Sequence, residues 1–161
     1  MLLRRVLGSF AALAVAVWLG GLLALGAIAA PIVFTRVSMP WSADAMTAVF
    51  RRFDLVAMTC AAVLLATEAA RALARVPFAR IDHARAALSA IAAAAAVYEG
   101  SSVAPRIAEL HAAGVVRGAG PAGIELSRLH DLAETLGKTE VALLVAVVVL
   151  QVITSTRHTN G

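Results

Sequence analysis

His130, Glu134 and Lys138 stand four residues apart. On a helix that spacing lines them along one face, with Asp131 and Glu140 off the stripe. Imidazole and carboxylate one helical turn apart can ligate a divalent metal. His130 and Glu134 are therefore the metal candidates, and Glu99 could complete the set. The plainer reading is a Glu134–Lys138 helix pair, which offsets two charges, with His130 near an interface. Glu99 has no basic residue at i+3 or i+4, and Arg106, at i+7, shares its face. Ionisable groups inside a membrane span are costly and mark ligand or proton paths, so Glu99 is the acid with the strongest claim to such a role. Glu68 lies close to Arg71 and reads as a helix-end pair.

Other chemistries find less support. Haem needs axial ligands. Of the four histidines, His111 and His130 are expected on one side, where they could approach, and His83 and His158 on the other. No bis-histidine pair falls at mid-membrane, which leaves haem a single-histidine site. Copper prefers thiolate or thioether ligands, but Met58 and Cys60, two apart on a helix, point in different directions and read as core filling. Gly118 to Gly123 match G-x-G-x-x-G, yet the dinucleotide motif needs a preceding strand in a βαβ unit. Here the motif reads as a loop leading into a helix cap. No Ser-His or Cys-His arrangement suggests a nucleophile with its base, so an enzyme is not the leading reading. The cofactor stays unassigned, with metal and haem as the alternatives.

These side chains must be positioned by elements that the composition restricts to one class. Of 161 residues, 61% are hydrophobic and only 15% are charged. Soluble domains are roughly 45–50% apolar and about 25% charged. Mean hydropathy is +0.86. One Cys excludes a disulfide framework. The composition marks an integral membrane protein. Val6 to Thr35 hold no charged residue, more than the ~20 apolar residues a spanning helix needs. That run is about twice the apolar stretch of a secretory signal, so it reads as a span and not a cleaved leader. The remaining spans are expected at about 48–72, 84–110 and 124–156, after a first at about 6–36. Pro40 breaks the chain after the first, with Ser42 or Asp44 available as a cap. Val76-Pro77 separates the second from the third, and a Gly-rich loop precedes the fourth. The expected fold is all-α, a bundle of four transmembrane helices in a single domain, 1–161. Thirty-eight alanines allow close helix approach.

Four spans put both termini on one side. That side carries Arg4, Arg5, Arg71, Arg75, Arg80, Arg85 and Arg157, against Arg36, Arg51, Arg52, Arg106, Arg117 and Arg128 on the other. The positive-inside rule then favours cytoplasmic termini, in what the Ala- and Arg-rich composition suggests is a bacterial cytoplasmic membrane. The arginines flank spans and form no stripe with aromatics, so nucleic acid is not an expected partner. The partner is the lipid bilayer, with a second copy or another membrane protein as further readings.

Two hairpins of one design are also visible. Arg51-Arg52-Phe53-Asp54-Leu55 resembles Arg128-Leu129-His130-Asp131-Leu132, and Ala30-Pro31 resembles Ala104-Pro105. Such a unit would be a parallel repeat. Pro31 and Pro105 each bend a helix and free a carbonyl, which makes both candidates for lining a ligand path.

Trp18-Leu19-Gly20-Gly21-Leu22, followed by Ala30-Pro31-Ile32-Val33-Phe34, resembles the first helix of the membrane family that includes eukaryotic transmembrane protein 205 and, in bacteria, domain of unknown function 4149. Val103-Ala104-Pro105-Arg106-Ile107 is similar to its third helix, and Arg128-Leu129-His130 to the motif that opens its fourth. The family's Ser and Asn after that His are replaced by Ala133 and Gly137. The resemblance implies a four-helix integral membrane protein and supplies no activity. The leading functional expectation is a protein that binds or passes a small molecule, metal ion or proton through a polar bundle interior. A haem- or metal-dependent membrane oxidoreductase is the second reading, and a structural partner in a membrane complex the third.

Overall fold

The computed structural model describes residues 2–74 and 79–157. The expected break at Val76-Pro77, and His158, lie outside them. Four long helices account for nearly all described residues. Helix α1 (2–36) is α-helical over Leu2–Leu23, widens to a π-helix at Ala24–Ala29, and resumes over Ala30–Arg36. Helix α2 is Trp41–Leu73. Helix α3 (80–112) comprises Arg80–Tyr98, a π-helical turn at Glu99–Val103, and Ala104–Ala112. Helix α4 is Gly120–Arg157. All four are long and apolar enough to cross a membrane.

The helices overrun their expected bounds, because α-helix continues past the apolar run into charged flanks. At the start of α2, Pro40 is the N-cap and no side chain caps the helix. Ser42 and Asp44 fall inside the first turn instead, where the Ser42 hydroxyl donates to Met39 Sδ at 3.2 Å. Each π turn stands directly before an Ala-Pro pair. Proline lacks an N–H, and its ring clashes with the carbonyl four residues back in an α-helix. One wider turn relieves that clash. The two Ala-Pro pairs thus share a local structure as well as a sequence.

Helix α1 packs on α2 and α4, and α3 packs on α2 and α4, so chain neighbours are space neighbours around a closed ring. The ring is filled by small residues: Ala11, Ala14, Val15, Ala57, Ala61, Ala92, Ala93, Ala96, with Trp18, Leu64, Leu144 and Val147. Large apolar side chains face outward instead, among them Leu13, Val17, Ile28, Ile32, Leu55, Ile91, Val149 and Val152. An apolar patch of that extent needs lipid or protein against it, and small interior residues are how membrane helices approach closely. The arrangement is that of a membrane bundle and not of a soluble one.

Candidate functional site

Polar side chains enter the ring in three layers. The first lies at the end shared by the start of α1 and the close of α4, where Gln151 Nε2 donates to the Gly8 carbonyl at 3.1 Å. Arg85 dominates this layer. Its Nε and Nη2 donate to the two oxygens of Glu68 at 3.0 and 2.9 Å. Its Nη1 donates to Asp82 Oδ1 at 3.0 Å and to Thr154 Oγ1 at 3.4 Å. Arg71 Nη1 adds a third ion pair to Glu68, at 3.2 Å. All five residues are buried. Two cations meet two anions from α2 and α3 with a bidentate fork, and α4 adds the Thr154 hydroxyl, the geometry that buried charge requires. The expected Glu68–Arg71 pair is present, and Arg85 completes it from α3.

The second layer lies near the middle of every helix. Trp18 of α1, 0% exposed, donates its indole N–H to Glu140 Oε2 of α4 at 3.0 Å. Glu140 is 2% exposed, and its other oxygen, Oε1, has no hydrogen-bond partner among the described residues. Glu99, half-buried on α3, lies within electrostatic reach of Glu140 and of Asp54 on α2. Asp54 has Arg51 one turn away. Glu99 and Glu140 form no ion pair among the described residues. Gly100 lets α2 close on this layer, since a Cβ there would stand 3.2 Å from Asp54 Cβ and from Met58 Cε. Three carboxylates and one indole, contributed by four helices, thus share one level with a single cation at its edge.

The third layer lies toward the loops that join α1 to α2 and α3 to α4. The rings of His111 and His130 sit 5.4 Å apart, tilted by 44°, so the expected approach of these two histidines occurs. His130 Nδ1 donates to the Leu126 carbonyl at 2.8 Å, and His111 Nδ1 shares a hydrogen bond with Thr47 Oγ1 at 3.1 Å. Outside the ring, Arg106 bonds Glu125 through Nε at 2.8 Å and Glu109 through Nη1 at 3.1 Å. Arg117 bonds Asp131 at 2.8 Å.

Measured against expectation, the candidates separate. Glu99 enters the central layer. His130 enters the histidine layer, ten residues and roughly 15 Å of helix rise from Glu140. Glu134 and Lys138 pair with each other at 2.6 Å on the exposed face of α4, at 64% and 75% side-chain exposure. Glu134 therefore faces its lysine on the outer surface, and the plainer reading of that stripe describes it. Arg106 does not serve Glu99, because the π turn between them rotates α3 and delivers Arg106 to Glu125. Pro31 and Pro105 sit two residues beyond the ends of their π turns, in the half of the bundle that holds His111 and His130. No group of three or more His, Cys, Asp or Glu is placed to hold a metal ion among the described residues. The G-x-G-x-x-G run forms the entry to α4, with residues 120–123 in its first turn and Gly118 N–H donating to the Gly123 carbonyl at 2.9 Å, and no strand precedes it among the described residues.

Sequence reasoning passed over Glu140, Asp54 and Trp18 as site residues. A signal for Glu140 was present. Residues 126, 140, 144, 147 and 154 form one helical stripe, and all are buried. Glu140 is the acid that falls in register with Leu144 and Val147, whereas Glu134 falls beside that stripe.

The model of one family, Domain of unknown function (DUF4149), matches residues 13–115, and the chain belongs to that family. The match takes in Trp18, Asp54, Glu99 and both π turns, and it ends before His130 and Glu140. No curated protein and no solved structure matches the chain.

Proposed function

We propose that this DUF4149 member is an integral membrane protein that holds a proton between Glu99 and Glu140 at the middle of the membrane and passes it through the bundle. The observation that carries this reading is the free, buried Oε1 of Glu140. An ionised carboxylate buried without a partner costs several kcal/mol, and a second one within electrostatic reach adds repulsion. Trp18 can satisfy one oxygen only. A proton on either carboxyl group removes one charge and the repulsion between the two. A metal ion fits less well, because the carboxylates do not converge as a ligand set.

The test is infrared spectroscopy of the full-length protein in liposomes at neutral pH. The expected spectrum shows a protonated-carboxyl band that Glu140→Gln removes and Glu99→Gln shifts. A spectrum without such a band, or a band that survives both substitutions, contradicts the proposal.

The orientation we propose has both termini in the cytoplasm of a bacterial cell, supported by the arginines flanking the terminal end of the bundle. A C-terminal reporter active only in the cytoplasm is expected to give signal. Activity of a periplasmic reporter alone reverses the orientation.

A further inference from the structure

Two imidazoles meet where the chain turns from α3 into α4. His111 stands in the last turn of α3, and residues 113–119 lead back to α4 and His130. The ring centres lie 5.4 Å apart, tilted by 44°, and both side chains are half-buried.

Each ring has one nitrogen engaged, and it is the same one. His130 Nδ1 bonds the Leu126 carbonyl at 2.8 Å. A carbonyl only accepts, so this nitrogen carries the proton and Nε2 of the neutral ring keeps a lone pair. His111 Nδ1 lies 3.1 Å from Thr47 Oγ1 of α2, a hydroxyl that can accept the same N–H. No hydrogen bond reaches Nε2 of either ring among the described residues. Histidines that ligate a metal are oriented in this way, the other ring N–H being given to a backbone carbonyl, a carboxylate or water. The separation agrees. Imidazole nitrogens bind zinc at about 2.0–2.1 Å, which puts the centres of two rings on one tetrahedral ion roughly 5 Å apart. Asp44, one turn before Thr47 on α2, lies within electrostatic reach of His111 and adds negative charge.

We propose that His111 and His130 bind one divalent transition-metal ion of the zinc class through their Nε2 atoms, bridging α3 and α4, with water and the Asp44 carboxylate completing its shell. Imidazole suits such ions, whereas Mg²⁺ and Ca²⁺ take oxygen ligands. Two imidazoles are fewer than the three protein ligands of a catalytic zinc centre and the four of a structural one, so the ion is an exchangeable one. Glu134, the carboxylate one turn from His130, takes no part, because it pairs with Lys138 on the outer surface. The site is separate from the Glu99–Glu140 layer and does not rest on the proton reading.

The test is calorimetric titration of the full-length, untagged protein in detergent with Zn²⁺ alone. One saturable site per chain is expected. His111→Gln and His130→Gln should each weaken it at least about tenfold, and Thr47→Val, which removes the hydroxyl that orients His111, about tenfold. His83→Gln, near the start of α3, should leave it unchanged. X-ray absorption of the Zn²⁺-loaded His83→Gln protein should show two imidazoles per ion. The absence of saturable binding, equal affinity in His111→Gln and His130→Gln, loss of the site in His83→Gln, or fewer than two imidazoles per ion overturns the proposal. Each variant is first shown to be monodisperse, and should both His111→Gln and His130→Gln misfold, the absorption spectrum decides.

Discussion

The indole of Trp18 and the carboxyl of Glu140 define the account at the scale of single residues. Their hydrogen bond crosses from the first helix to the last, 122 residues apart in sequence, at a fully buried position. Removing one partner of a buried polar pair costs about 1–3 kcal/mol, whereas replacing both by apolar groups costs much less. Trp18→Phe is therefore expected to lower stability by about that amount, beyond its packing loss. Trp18→Phe combined with Glu140→Leu should recover part of it, measured by unfolding in detergent micelles. Additive effects of the two changes would show that the bond contributes no coupling. Glu99 was legible in the sequence because it stands alone, with no base one turn away on its own helix. Glu140 was not, because the charged run of Glu134, Lys138 and Glu140 reads as one polar half-helix. Only the register with Leu144 and Val147 distinguishes the buried acid from the exposed pair.

Helices were legible as elements, and their internal geometry was not. Charge-free runs mark four spans because a bilayer tolerates no other reading of them. Hydropathy carries no information about the π turns at Ala24–Ala29 and Glu99–Val103. Both were nonetheless signposted by the Ala-Pro pairs that follow, since proline forces the preceding turn to adapt. The consequence of missing them is specific. On an uninterrupted α-helix Arg106 shares a face with Glu99, and the two would be read as a pair. The π turn breaks that register, gives Arg106 to Glu125 and Glu109, and leaves Glu99 without a cation. The feature that separates Glu99 from Arg106 thus comes from backbone geometry set by Pro105, six residues after the turn begins and two beyond its end.

At the scale of the whole molecule, the four-helix bundle was anticipated by the sequence, and the ring order of its helices follows from short connections. The buried charge network at the terminal end was not anticipated, because Arg85 reaches Glu68 from another helix. Combined, these features give a bundle with two end layers of different character and a carboxylate layer between them. The end with buried Arg85, Glu68, Asp82 and Arg71 is held by three ion pairs. The other end holds the His111 and His130 rings, 5.4 Å apart. On the proposed reading, a proton that passes through the bundle stops at Glu99 and Glu140. The measurement that tests this most directly is proton uptake by liposomes containing the full-length chain, driven by a potassium diffusion potential and followed with an internal pH dye. The account predicts uptake well above that of empty liposomes, lowered at least about tenfold by Glu140→Gln, the scale of one lost proton-transfer group, and unchanged by Val149→Ala on the lipid-facing surface. Uptake that is no faster than in empty liposomes, or that persists undiminished in Glu140→Gln, would contradict it.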